Sequence, residues 1–264
     1  MARLAVAATA PFGADVLERL AAEHDVVALL TRPDARRGRG RKLAPAPAKE
    51  VALRLGIDIL QPERPTVDLA LDVDAVIVCA YGLLIPEGLL GRNLWLNVHP
   101  SLLPRWRGAA PVERAIMAGD HESGITIHRT VKDLDAGPIA AQRAFPIGPD
   151  DDTGVVFARA APVATELLRD QLPSPTFEPQ PAEGVTYAEK ITTADRELDW
   201  NRPAQELHDR VRALSPHIGA RGVVDGRRVI VWRTRVHDGT LELLEVQPEG
   251  RRRMTYEEFR RGLQ

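Results

Sequence analysis

Leu94-Trp95-Leu96-Asn97-Val98-His99-Pro100-Ser101-Leu102-Leu103-Pro104 is the stretch on which the fold turns. Leu94 to Val98 reads as a short buried strand, and Pro100, which cannot donate to a ladder, ends it. Similar apolar runs recur at Leu4 to Ala8, Val26 to Leu30, Ile57 to Leu60 and Ala75 to Cys79. Between them lie helical patterns at Ala14 to Glu23, Ala48 to Leu55 and Val112 to Ala118. Strands that are apolar along their whole length and alternate with helices predict an α/β, Rossmann-like domain, its mainly parallel sheet covered on both faces. Ligands of such sheets bind beyond the carboxyl ends of the strands, where Asn97 and His99 fall. The two side chains are expected on opposite or slightly splayed sides unless the strand is ending there, as Pro100 suggests. A second polar knot, Lys132-Asp133-Leu134-Asp135-Ala136-Gly137-Pro138, is turn-forming and offers a carboxylate with which the amide and imidazole can converge. Asp133 is the weaker acid candidate, and His128, on a strand from Gly124 to Thr130, is expected to be structural.

The 264 residues suffice for one large domain and a smaller one. With 44% hydrophobic and 27% charged residues the chain is an ordinary globular one, and no run reaches the roughly 18 apolar residues of a membrane span. No membrane partner is expected. The single cysteine, Cys79, excludes an internal disulfide and fits a cytoplasmic location; within Ala75 to Ala80 it reads as a buried filler. The first strand-to-helix turn, Ala8-Thr9-Ala10-Pro11-Phe12-Gly13, lacks Gly-x-Gly-x-x-Gly, so neither NAD nor ATP is expected. There is no clustered Cys or His with metal spacing, no phosphate-binding Walker loop and no nucleophilic Ser or Cys motif, so no metal is expected. Net charge is -2, but Arg32, Arg36, Arg37, Arg39, Arg41 and Lys42 face only Asp34 in one short stretch. Pro33, Gly38 and Gly40 predict an irregular loop there, either simply solvated or set against a phosphate backbone.

Beyond a helix from Thr153 to Leu172, Pro173, Pro175, Pro179 and Pro181 give linker composition. The expected division is a catalytic domain over 1–183, a linker over 184–203 and a small carboxyl-terminal domain over 204–264. That last part is expected to hold a helix from Pro203 to Leu214 capped by Asn201, strands at Arg228 to Trp232 and Leu241 to Val246, and a helix at Thr255 to Arg261.

Asn97-Val98-His99-Pro100-Ser101-Leu102-Leu103-Pro104, extended by Trp106-Arg107-Gly108-Ala109-Ala110-Pro111, resembles the folate-dependent formyltransferases, most closely the branch that acts on methionyl-tRNA. Thr186-Tyr187-Ala188-Glu189-Lys190-Ile191 and Leu198-Asp199-Trp200 carry the likeness onward. The resemblance implies transfer of a formyl group from 10-formyltetrahydrofolate to the methionine amino group on initiator tRNA, with Asn97, His99 and Asp135 as catalytic centre. It implies a folate site along Tyr81, Gly82, Leu83, Leu84 and Ile85, walled by Ser101, Leu102, Leu103 and Pro104. It makes the Arg32 to Lys42 segment a grip on tRNA, and Phe12 a neighbour of the amino acid unless it is simply core. Arg105 and Arg107 are expected at tRNA phosphate, at the folate tail, or on the surface. The family usually has Gly-Thr-Pro where this chain has Ala8-Thr9-Ala10. Its carboxyl-terminal barrel has more strands than this chain offers, with Val236-His237-Asp238-Gly239-Thr240 as a shortcut turn, so a reduced, OB-like barrel is expected. Arg221, Arg227, Arg228, Arg233, Arg235 and Arg251 to Arg253 keep that part basic. A monomer is expected. The alternatives are a formyltransferase for a small amine such as an amino sugar nucleotide, and an RNA-binding relative without catalysis.

Overall fold

The computed structural model describes residues 1–37 and 42–262. In chain order its elements begin with β1 (Arg3–Ala8), α1 (Pro11–Glu23), β2 (Asp25–Leu30), β3 (Ala35–Arg37), β4 (Lys42–Ala44), α2 (Pro47–Leu55) and β5 (Asp58–Leu60). Then come β6 (Ala75–Cys79), α3 (Glu87–Leu90), β7 (Leu94–His99), β8 (Arg107–Gly108), α4 (Pro111–Met117), β9 (Glu122–Arg129), β10 (Ile139–Pro146) and α5 (Thr153–Gln171). The chain closes with β11 (Tyr187–Ala188), α6 (Ala204–Leu214), β12 (Ala220–Val224), β13 (Arg227–His237), β14 (Thr240–Pro248), β15 (Met254–Thr255) and α7 (Tyr256–Arg261). No helix is long and apolar enough to cross a membrane among the described residues.

Two compact units emerge, one of Met1–Arg107, Gly124–Ala144 and Ala158–Val185, the other of Gly108–Ser123, Phe145–Phe157 and Thr186–Gln264. The helix α4 and the segment 145–157 thus group with the carboxyl-terminal residues rather than with the sheet they interrupt in sequence. The first unit holds a seven-stranded sheet in the order β10-β9-β7-β6-β1-β2-β5. Its middle is parallel from β5 to β7, and β9 runs antiparallel to β7. Leu4, Val6, Val76, Ile77 and Leu96 are fully buried, as a two-sided sheet requires. Cys79 is buried too, and that desolvation pushes its thiol pKa well up. Pro11 starts α1 at the position where a missing N–H costs nothing. Two residues on, a Cβ at Gly13 would collide with the Cys79 carbonyl, so glycine lets this helix start lie against the end of β6.

The basic segment contradicts the expectation of irregular chain: β3 and β4 form an antiparallel pair with Ala35 opposite Ala44 and Arg36 opposite Leu43. Pro33 precedes β3, and Gly38 and Gly40 lie outside the described residues. The hairpin base is fixed by Lys49, whose Nζ lies 2.8 Å from Asp34 and 2.7 Å from Gln61 Oε1. Asp34, the one acid of the segment, is thereby neutralised.

In the second unit α6 packs Leu207, Val211 and Leu214 with Val229, Val231 and Val246 of a four-stranded antiparallel sheet, β12-β13-β14-β15. The strands exceed expectation because both hairpin turns are two-residue Asp-Gly pairs, Asp225-Gly226 and Asp238-Gly239, with all four residues at positive φ. Asn201 does not cap α6; it bonds Asp199, and Pro203 occupies the cap without a side-chain bond.

Candidate active site

The ladder between β7 and β9 runs through His99, pairing Asn97 with His128 and His99 with Thr126. β7 includes both residues, and positions two apart on a strand point to the same face, so Asn97 and His99 share one face of the sheet; the expectation of opposite or splayed sides, and of a strand ending before His99, is corrected. His128, expected to be structural, is brought against Asn97: Asn97 Nδ2 lies 3.0 Å from His128 Nε2 and 3.0 Å from Asp135 Oδ1. Asp135 reaches them from the loop after β9, at φ 47, a left-handed conformation that aspartate tolerates better than most residues. Gly137 makes the approach possible, since a Cβ there would overlap the Arg129 carbonyl.

The partners fix the tautomers. Trp106 offers only a carbonyl to His99 Nε2, at 2.8 Å, so that nitrogen carries the proton. Neutral His99 then turns its Nδ1 lone pair toward Asp135 Oδ2, 3.6 Å away. His128 likewise gives its Nδ1 proton to the Arg129 carbonyl at 3.0 Å, leaving Nε2 to accept from Asn97. Burial, with His99 only 4% exposed, is the main force lowering its pKa; the Asp135 charge and the Trp106 carbonyl oppose it without overcoming it. The resting pair is therefore neutral imidazole beside carboxylate, with room between them for one proton.

The wall Ser101 to Pro104 is held from beneath. Buried Thr126 donates to the Ser101 carbonyl at 2.7 Å and accepts from Leu103 N–H at 3.1 Å and Gln142 Nε2 at 2.8 Å. Ser101 itself is buried and donates to the Arg105 carbonyl, Leu103 is buried, and Leu102 and Pro104 are half-buried. Arg105 stacks on the Trp106 ring at 4.4 Å. Along 81–85 the side chains diverge: Leu84 is 91% exposed, whereas Tyr81 is 2% exposed, with its hydroxyl unpartnered and its pKa pushed up to about 12 by burial. Tyr81 faces the core beside Trp95 and Leu89, so it can serve a ligand only through its backbone. Gly82 lies at φ 77 near the Arg32 side chain, while Leu83 and Ile85 are half-buried against that same core. Phe12 is buried at the start of α1. Thr9 replaces any glycine cradle at the first turn, its hydroxyl donating to the Tyr81 carbonyl at 2.9 Å. Arg32 and Arg36 are exposed; Arg37 and Lys42 enter as backbone positions of the hairpin, and Arg39 and Arg41 lie outside the described residues.

Residues 2–172 match the Formyl transferase family, and residues 190–240 match Formyl transferase, C-terminal domain. A methionyl-tRNA formyltransferase of Paracoccus denitrificans is 40% identical over 285 aligned positions, covering 97% of this chain and 95% of its own. One of Xanthomonas axonopodis pv. citri is 42% identical, covering 94% and 84%. Among solved structures, the methionyl-tRNA formyltransferase from Clostridium thermocellum superposes with a TM-score of 0.66 at 13% identity, over 94% of this chain and 99% of that one. HypX from Aquifex aeolicus in complex with tetrahydrofolic acid gives a TM-score of 0.64 at 16% identity, over 98% of this chain and 46% of its own. These two likenesses carry the fold alone.

Proposed function

The chain belongs to the formyl transferase family, and from that premise we propose that it transfers a formyl group from 10-formyltetrahydrofolate to the amino group of methionine on initiator tRNA. The observation that carries the chemistry is the convergence of Asn97, His99 and Asp135 around one buried, proton-sized gap. The acceptor is argued from 40% identity, over nearly the full length of both chains, to a methionyl-tRNA formyltransferase. A folate donor suits the family and the half-buried wall of 101–104.

The attacking amine must be neutral, the oxyanion must be stabilised, and a proton must reach the departing folate nitrogen. As the amine nitrogen bonds to the formyl carbon, its proton passes to the Nδ1 lone pair of His99, and Asp135 holds the resulting imidazolium. His99 then returns that proton to the folate nitrogen as the bond from the formyl carbon to that nitrogen breaks. Both amide hydrogens of Asn97 are engaged at rest, so donation to the oxyanion requires one to leave His128 Nε2 or Asp135 Oδ1. The gain expected of such a donor is about 100-fold to 1000-fold. Arg32, Arg36, Arg37, Arg39, Arg41 and Lys42 form the grip on tRNA; Phe12 lines the methionine pocket, and 81–85 with 101–104 bound the folate. The protein works in the cytoplasm as a monomer and needs no metal.

The test is formylation of charged initiator methionyl-tRNA with 10-formyltetrahydrofolate, beside charged elongator methionyl-tRNA and amino sugar nucleotides. Selective turnover of the initiator is expected. Turnover confined to the sugar amines would replace this reading with that of a small-amine formyltransferase.

A further inference from the structure

Gln180 sits between Pro179 and Pro181 in a segment whose composition reads as a linker, yet every polar atom of its side chain is engaged. Its Nε2 donates to the carbonyls of Asp135 at 2.7 Å and Gly137 at 2.8 Å. Its Oε1 accepts from Arg107 Nε at 3.1 Å and Nη2 at 2.6 Å. The segment is docked: Glu178 and Ile139 exchange both backbone hydrogen bonds, at 2.9 and 2.7 Å, two residues beyond Gly137. The flanking prolines fix the local φ angles, so presenting Gln180 costs little chain entropy.

We propose that Gln180, clamped by Arg107, is a positioning residue for formyl transfer, fixing the backbone that aims Asp135 at His99. This rests on the formyl-transfer reading above. Asp135 is held at φ 47, a left-handed conformation that persists only where its surroundings over-determine it. Gln180 supplies that constraint by gripping the carbonyl of Asp135 itself and that of Gly137. At its other end the clamp holds Arg107, the residue after Trp106, whose carbonyl fixes the His99 tautomer. One amide therefore ties together the two backbone segments that bracket the His99–Asp135 pair. Arg107 is committed within this unit rather than reserved for a phosphate. A misplacement of about 1 Å at such a pair is worth roughly 100-fold in rate.

Two substitutions test it. Gln180→Leu removes every bond of the clamp, and Gln180→Glu keeps an acceptor for Arg107 but has no N–H for the two carbonyls. Each is expected to lower kcat about tenfold to 100-fold, with KM for the folate donor and for methionyl-tRNA within about threefold of the parent. Backbone amide exchange over 133–137 should quicken in both, with the sheet amides unchanged. Parent kcat in the Glu variant, a loss confined to KM, or unaltered exchange over 133–137 would each overturn the proposal. If the Leu variant does not fold, the Glu variant decides. If the parent fails to formylate methionyl-tRNA, the functional reading falls, and the exchange comparison still decides whether Gln180 holds the Asp135 loop.

Discussion

His99 is asked to be a base while shielded from water, and that conflict has a measurable consequence. Its folded pKa lies below its ordinary value because burial penalises the imidazolium, and His24, with Nε2 buried and unpartnered, is shifted the same way for the same first cause. In the unfolded chain both bind protons near the usual histidine pKa of about 6.5. The unfolded state thus gains protons first as pH falls, so the stability these residues permit is present above about pH 6.5 and is lost as pH falls through their folded pKa values. Urea unfolding between about pH 7.5 and 5.5 should show a falling free energy, and His99→Asn should flatten that fall without abolishing it, because His24 remains. An unchanged slope in the variant would show that His99 is not buried in its neutral form. The three groups Asn97, His99 and Asp135 were legible from their residue types and the turn around Asp135. His128 was not, because only the register of β9 on β7 sets it opposite Asn97, and no local pattern encodes that register.

At the scale of elements, the loop after β9 is positioned by what it lacks. Gly137 is buried, and a Cβ there would meet the Arg129 carbonyl, a backbone atom that cannot rotate away. Gly137→Ala must therefore lift the loop, drawing Asp135 from His99 and stretching both Gln180 bonds. We expect a stability loss of about 1–3 kcal/mol and a fall in kcat larger than any rise in KM, measured by denaturant unfolding and steady-state kinetics. Retained stability and rate would mean that the loop has slack the geometry denies. The parallel strands β1, β2, β5, β6 and β7 were readable because burial on both faces leaves continuous apolar runs. Harder to read were β3 and β4, each three residues long, where charge hid the pairing, and the segment at Gln180, where proline content suggested a linker while two backbone bonds to Ile139 dock it. In the second unit the turn within Val236 to Thr240 was legible, but the Asp225-Gly226 turn and the strand β12 before it were not anticipated, and Asn201 misled as a cap since Pro203 already fixes the helix start.

Across the whole molecule a net charge of -2 conceals a separation of roles. Acids are spent locally: Asp34 on Lys49, and Asp195 on Arg114 at 2.7 Å, a pairing that holds the Asp195 carboxyl well below its usual pKa. The segment from Arg32 to Lys42 carries six basic residues against Asp34 alone, with Arg32 and Arg36 exposed. Were tRNA bound there, each neutralised phosphate would release counterion, and log(kcat/KM) for methionyl-tRNA would fall linearly with log salt. The slope should approach about one unit per neutralised phosphate, and Arg32→Ala with Arg36→Ala should make it shallower by about one for each phosphate that then keeps its counterion. KM for the folate donor, which does not engage a polyanionic backbone, should stay nearly constant over the same range. A slope untouched by both substitutions would remove the hairpin from the tRNA interface, while no salt dependence for the tRNA substrate at all would argue that the acceptor is a small amine.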